Sequence, residues 1–454
     1  MIKKLVAGLS VWVTASSGLL LGKAGSSNDL VFGNYSDYIS SDVAQELRKK
    51  YKLRVDLFDY DHLVKERFQK GIYDIAITST SVLSELKSSG AALKLDWSKL
   101  LTKENDSTSS IDNNTPKTVE DARKLFTEIV QDMSQDLLEY GIPYFIQKLG
   151  FYYRGNEIEN LKKDQPVTFK KLIEVISSDN RFHSKDGKPK LGLIDDPRTV
   201  LSLARKVGNK QDVNPSKEEY KNSQLILDDY RQLINAGLDK NKLGENFLYM
   251  TPDSGPLVDA LSSGDIKGAF MYNGDGLFAA SGGNASKEIN ANDFHYVELS
   301  ENIFFLDFLT LSANMSDSKK EKAYGLAKDL LFLKNDKEDV LRKQNKKSKG
   351  ENGLSNSVAA AEDSEDDEES PYEEMVVRNF DEVQYTPTLK SVYDKLEEYF
   401  KDEKDELIKG TTKHEIIKVE KPKTGTLSQE YERQLDSRQK NDMLIAYSNF
   451  KLLV

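Results

Sequence analysis

Residues 29–90 read DLVFGNYSDYISSDVAQELRKKYKLRVDLFDYDHLVKERFQKGIYDIAITSTSVLSELKSSG, and their periodicity decides the fold class. Leu30-Val31-Phe32 forms a short apolar strand, after which Ser41 or Asp42 caps a helix carrying Val43, Leu47 and Tyr51. Leu53, Val55 and Leu57 alternate as a second strand; Leu63, Val64, Arg67 and Phe68 follow at helical spacing until Gly71 stops the run. Ile75-Ala76-Ile77 makes a third strand, and a helix with Val82, Leu83 and Leu86 closes at Gly90. Three strand–helix units in about 60 residues predict an α/β fold with a parallel or mixed sheet covered by helices. Ligands of such sheets bind beyond the carboxyl ends of the strands, where helix N-termini converge. The segments that fall there, 34–38, 59–61 and 79–81, are rich in aromatics, acids and hydroxyls.

Farther along, a second α/β pattern starts at Gly141-Ile142-Pro143-Tyr144 and runs through strands at Leu191–Ile194, Gly268–Met271 and Ile303–Leu306. Two similar units predict a two-lobed molecule with a cleft between the lobes. Residues 101–118 read as a loop leading into a helix with Leu125, Ile129 and Leu137. Residues 342–371 pass from a basic stretch into Glu362–Glu369, eight residues of which seven are acidic; charge of one sign at that density predicts a solvated, disordered segment. The tail beyond residue 402 is rich in Lys and Glu with a late apolar patch, Met443–Tyr447, and its role is not readable from sequence.

The 454 residues contain no cysteine, which excludes thiol nucleophiles, disulfides and thiolate metal sites. The four histidines, His62, His183, His295 and His414, lack ligand spacing, so neither a metal nor any other cofactor is expected. A net charge of −11 argues against a nucleic-acid partner and is compatible with a cationic ligand. Met1-Ile2-Lys3-Lys4 followed by an apolar run to Leu21 is an export signal or membrane anchor. No hydrolase elbow, metalloprotease helix or phosphate loop occurs; Gly274-Asp275-Gly276 reads more simply as a tight turn than as a phosphate cradle.

Aromatics and carboxylates recur together at predicted strand ends: Tyr35, Asp37 and Tyr38; Tyr60 and Asp61; Tyr272 and Asp275; Phe305 and Asp307. An extended polyamine needs both types, carboxylates for its ammonium groups and flat apolar faces for its methylenes. The stretch Leu30–Ile39 resembles the first strand and loop of the spermidine/putrescine-binding proteins, as do Tyr73–Thr80, Leu95–Leu100, Gly141–Tyr144, Ile194–Arg198, Phe270–Gly274 and Ile303–Asp307, in order. This resemblance, from about residue 29 to 335, implies a periplasmic-binding-protein type II fold, each lobe a sheet covered by helices. It implies that Tyr35, Ser36, Asp37 and Tyr38 contact ligand from lobe one with Ser79 or Ser81. Asp195 or Asp196 would take an amine from lobe two, Tyr272 and Phe305 would form aromatic walls, and Asp307 would pair with a protonated amine. Tyr or Phe stands where the family has Trp at three wall positions, and Thr199 where it has an acid.

The expected organisation is an N-terminal signal or anchor (1–28), lobe one (29–142 with 307–341), lobe two (143–306 with 376–402), the acidic segment (342–375) and an extension (403–454). The expected function is capture of polyamines outside the cytoplasm by a monomer, tethered by the N-terminal segment, that delivers them to an ABC permease and is not an enzyme. The same fold carrying another small ligand, and a surface interaction protein that has lost its pocket, stay open as alternatives.

Overall fold

The structure, a computed structural model, describes residues 29–58, 61–101, 118–162, 165–219, 222–285, 289–333, 374–402, 407–422 and 426–454. The N-terminal segment, the acidic run and the Asp59–Tyr60 pair lie outside the described residues, and the side chains of Asp61 and His62 are likewise not described.

Ten strands form one continuous ladder: β1 (Leu30–Tyr35), β2 (Leu53–Phe58), β3 (Ile75–Ser79), β4 (Gly141–Arg154), β5 (Leu191–Ile194), β6 (Leu248–Thr251), β7 (Gly268–Tyr272), β8 (Phe294–Tyr296), β9 (Phe304–Leu311) and β10 (Thr386–Pro387). Their order is β2-β1-β3-β9-β4-β7-β5-β6, with β8 and β10 also on β4. The pairs β1–β2, β1–β3, β5–β6 and β5–β7 are parallel, as the strand–helix alternation requires. The inserted pair β9 and β4 runs antiparallel to its neighbours.

Strand β4 joins the lobes. From Gly141 to Lys148 it pairs with β9 in lobe one; from Leu149 to Tyr153 it pairs with β7 in lobe two. Its register against β9 slips between Pro143 and Ile146, where proline has no N–H to give the ladder. All but two of its fourteen residues are buried, since both faces are covered.

Local chemistry explains the helix ends. Thr199 N–H donates to Asp196 at 2.6 Å, capping the Pro197–Val207 helix, whose first residue is a proline with no N–H to satisfy. Gly71 and Gly90 stand at φ +65° and +71° after their helices, as the sequence predicts. The 119–139 stretch departs from expectation. Instead of one helix it breaks into Val119–Arg123, Glu128–Ser134 and a 3-10 turn at Gln135–Glu139, with Gln135 at φ 43°. All three pieces bury their apolar side chains, Ala122, Ile129, Val130, Met133, Leu137 and Leu138, in one core cluster.

The segment expected in lobe two at 376–402 reaches both lobes, its first helix bonded to lobe one and Tyr385 and Thr386 to Asp275 and Asn273 of lobe two. Arg378 of the Met375–Val383 helix pairs with Asp42 and Glu46, and Asn379 accepts from the Ser40 N–H at 2.8 Å. Its apolar face, Val376, Val377 and Phe380, joins the larger core cluster, which holds lobe-one residues such as Val43 and Leu330 together with Leu257 and Leu277 of lobe two.

Beyond residue 406 the chain returns across both lobes. Toward lobe one, Gln135 donates to the Tyr431 hydroxyl at 2.6 Å, Ser84 to Gln434, and Lys440 to Glu85 at 3.4 Å. Toward lobe two, Ser202 donates to Glu432 at 2.8 Å, Arg433 pairs with Asp212 at 2.7 Å, and Asn214 donates to the Tyr431 carbonyl at 2.9 Å. The Ser437–Lys451 helix then lays Met443, Ala446, Tyr447 and Phe450 into the lobe-two core, Phe450 stacked on Tyr230 at 5.3 Å. Their i, i+3, i+4, i+7 spacing is the face of an amphipathic helix.

Candidate functional site

The site is built from the β1 loop. Asp37 sits at φ 52°, a left-handed conformation that a short polar residue tolerates, and this turn sends Tyr38 inward. Tyr38 is 5% exposed, and its hydroxyl donates to Asp307 Oδ2 at 2.6 Å. Gln147 donates from Nε2 to the same carboxylate oxygen at 2.8 Å and to the Tyr38 hydroxyl. The loop is pinned from behind: the Tyr144 hydroxyl donates to the Tyr38 carbonyl at 3.0 Å, and Asn379 donates to that hydroxyl at 2.9 Å.

Asp307 lies on β9 opposite Ser79 of β3, itself the N-cap of the Thr80–Ser88 helix. Burial, then the Asp307 carboxylate, push the Tyr38 hydroxyl well above its ordinary range, so it stays protonated and donates. Around the Tyr38 ring stand Tyr35, Tyr144, Phe145 and Tyr385, at 5.7, 5.6, 5.6 and 4.9 Å between centroids, all edge-on. Such packing keeps water from the carboxylate.

A second acid–tyrosine pair faces the first from lobe two. Tyr385, just before β10, donates its hydroxyl to Asp275 Oδ1. Asp275 is 5% exposed, in the first turn of the Asn273–Ala280 helix. Burial pushes its carboxyl up to about 7, the hydrogen bonds from Tyr385 and Ser254 opposing and the Asp253 charge reinforcing the rise. Gly274-Asp275-Gly276 is thus the start of a helix and not the tight turn expected. The glycines admit two rings: a Cβ on Gly274 would lie 2.5 Å from Tyr385, and one on Gly276 2.1 Å from Tyr152.

Asp37 bridges toward the same place, since a Cβ on Gly255 would come within 2.8 Å of its carboxylate oxygen. Partial burial against that wall, then the charges of Asp253, Asp259 and Glu382, raise the Asp37 carboxyl. The β1 loop of lobe one therefore meets the N-terminal end of the lobe-two helix Ser254–Ser263.

The structure brings Tyr35, Asp37, Tyr38, Ser79 and Asp307 to one end of lobe one, with Ser36 and Ser81 half-buried beside them. Tyr272 and Phe305 meet edge to face at 4.9 Å, and the Tyr272 hydroxyl shares a 3.2 Å hydrogen bond with Thr199. The two lobe-two acids are otherwise engaged. Asp196 caps its helix, while Asp195 accepts from the Tyr447 hydroxyl at 2.7 Å and from Lys451 Nζ at 3.1 Å, both on the C-terminal helix. Gln147, Asp275 and Tyr385 complete the arrangement; the sequence pairs Asp275 with Tyr272 at a strand end, while Gln147 and Tyr385 are not assigned from it. Gln147 is the one amide in an apolar strand, a signal that could have found it.

The three histidines whose side chains are described are accounted for by local bonds. His295 is stacked on Tyr153 at 4.7 Å and bonded to the Gly155 carbonyl at 2.7 Å, and burial lowers its basicity; His414 meets Glu397 at 2.9 Å and His183 the Ser177 carbonyl at 3.1 Å. Among the described residues no helix is long and apolar enough to cross a membrane.

No curated protein matches the chain. Among solved structures, it is similar to the spermidine/putrescine ABC transporter substrate-binding protein PotD from Streptococcus pneumoniae, at 15% identity and TM-score 0.52, covering 94% of this chain and 99% of that one. A protein described as a spermidine/putrescine ABC transporter from Listeria monocytogenes gives 15% identity and TM-score 0.56 over the same shares, 94% and 99%. An ABC transporter solute-binding protein from Agrobacterium vitis with bound D-mannitol gives 11% and 0.51, covering 94% of each chain. The fold is thus the two-lobed periplasmic-binding type. A family described as "Hypothetical lipoprotein (MG045 family)" matches residues 2–449, and the chain belongs to that family.

Proposed function

We propose that this chain is the extracytoplasmic substrate-binding component of an ABC importer and that its ligand is a polyamine. The observation that carries the reading is the buried Asp307 carboxylate, held by Tyr38 and Gln147 at the seam between the lobes inside a ring of aromatic edges. A buried carboxylate favours a cation, and a charge-assisted bond to an ammonium contributes about 1.5–3 kcal/mol. Tyr35, Tyr38, Tyr272 and Phe305 line the methylene chain, and Asp37 with the Ser36, Ser79 and Ser81 hydroxyls completes the lobe-one wall. Asp195 and Asp196 have smaller parts than the resemblance implies, because the chain's own Lys451, Tyr447 and helix N-terminus use them.

Lobe separation exposes the seam, ligand entry closes it, and the closed form docks on a permease. Tethering, in 454 residues without a cysteine for thioether lipidation, falls to the N-terminal apolar segment. The Agrobacterium relative with D-mannitol favours a second reading, the same fold carrying an uncharged ligand. Native mass spectrometry of the purified protein followed by calorimetry with putrescine, spermidine and mannitol separates the two. Saturable binding of either amine supports the proposal; binding of mannitol alone ends it.

A further inference from the structure

Asp275 holds an unanswered bond. Its Oδ1 accepts from Tyr385, but its Oδ2 is fully enclosed and has no hydrogen-bond partner among the described residues. The neighbouring Tyr152 hydroxyl, whose ring lies against Gly276, is also enclosed and without a partner among the described residues. A buried oxygen in that state is costly, and such groups in native proteins point to a ligand, an ion or an ordered water. The pair repeats the chemistry at Asp307, where a carboxylate is likewise held by a tyrosine hydroxyl. The two tyrosine rings, Tyr38 and Tyr385, are in edge contact at 4.9 Å, so the two carboxylates flank one aromatic partition between the lobes.

We propose that Asp275 is the second cation-accepting carboxylate of the interlobe site, so that Asp307 and Asp275 each take one end of a diamine while Tyr38 and Tyr385 flank the carbon chain. This rests on the polyamine reading above. An ammonium donates to two or three acceptors at once, and Asp275 Oδ2 and the Tyr152 oxygen are two that have no hydrogen-bond partner among the described residues.

The groups facing Asp275 are Tyr385 from the segment before β10, Asp253 and Ser254 from the start of their helix, Tyr152 of β4 and Tyr272 at the end of β7. Charged side chains on other elements packed nearby are engaged elsewhere, Arg378 with Asp42 and Glu46 and His414 with Glu397. With its carboxyl held near 7, Asp275 carries a proton at pH 6 that an arriving ammonium must displace. Cation binding there is coupled to proton release, and affinity rises with pH.

The test is calorimetry of putrescine with the full chain at pH 6 and pH 8, in two buffers of different ionisation enthalpy. Wild type should release close to one proton per ligand at pH 6 and close to none at pH 8, with affinity rising about tenfold between them. Asp275→Asn should bind at least tenfold more weakly at pH 8 and release no proton at pH 6. Tyr385→Phe, which keeps the packing and removes a donor that stabilises the carboxylate, should extend proton release to higher pH. Wild-type affinity in Asp275→Asn, or proton release that persists in it, overturns the inference while leaving the polyamine reading intact. Absence of any diamine or polyamine binding by wild type removes both.

Discussion

Replacing Asp275 by Asn should make the ligand-free protein more stable in alkali and leave it unchanged in acid. A carboxyl at about 7 in the fold against about 3.9 in the unfolded chain is shifted by roughly 3 units, or about 4 kcal/mol at about 1.4 per unit. Below pH 4 both states hold the proton and the shift has no effect. Between about pH 4 and 7 the folded chain retains a proton that the unfolded chain releases, so stability falls as pH rises. Above 7 the full penalty of a buried charge is present. Asparagine keeps the shape, still accepts from Tyr385 and does not titrate. Asp37, Asp229, Glu301 and Glu430 are also raised by burial, but their contributions cancel between wild type and variant. At about 2.1 cal/mol/K per residue the whole chain unfolds with about 1 kcal/mol/K, so the gain is about 4 °C in Tm at pH 8, about 1.5 °C at pH 5 and about 0.5 °C at pH 4. Scanning calorimetry across pH 4–9 measures both. Parallel stability curves for the two proteins would refute the reasoning, because they would mean that Asp275 titrates alike in the folded and unfolded states.

Asp307→Asn should weaken spermidine binding by about 10- to 100-fold, the loss of one charge-assisted bond, while Asp317→Asn, fully exposed on lobe one, should change it less than about twofold in the same titration. Ser84→Cys with Gln434→Cys introduces the chain's only two thiols at side chains already in hydrogen-bond contact. Their oxidation should slow ligand exchange measured by stopped flow, and reductant should restore it; exchange indifferent to the crosslink would show that the lobes separate without moving this contact. Phe450→Ala should destabilise the protein by about 3–5 kcal/mol by opening a cavity against Tyr230, read by denaturant unfolding; a change below 1 kcal/mol would show that the C-terminal helix is not part of the lobe-two core.

Much of the fold was legible because strands β1 to β3 alternate with helices at separate periods, and each turn carries its own signal, such as Gly71 and Gly90. Tyr38 and Asp307 were legible as a pair only through the resemblance, since 269 residues separate them and nothing local links them. Asp275 was legible as an acid beside Tyr272, but its place at a helix start was not, for a physical reason. Flanking glycines ordinarily mean a turn, and here they make room for the rings of Tyr385 and Tyr152, which no local pattern records. The helical spacing of Met443, Ala446, Tyr447 and Phe450 is plain in the sequence, but the surface it covers depends on Tyr230 and on the Lys451–Asp195 contact, both tertiary facts. The 119–139 stretch shows the converse. Its apolar spacing is helical, yet packing overrides propensity and divides it into three pieces.

The late return of the chain over both lobes governs how the molecule can be assembled. The larger core, which takes in residues of both lobes, is finished by Val377, Phe380 and Val392, and the lobe-two core by Tyr447 and Phe450, while the strands they cover were laid down far earlier in synthesis. Closing such long loops must precede the contacts that reward it, which makes maturation slow and leaves apolar faces bare in the interval. Neither lobe corresponds to a contiguous gene fragment. A cut placed anywhere between β4 and the last helix would leave one half without its covering layer, so the smallest unit of this protein that can be expressed, exported or grafted is both lobes together.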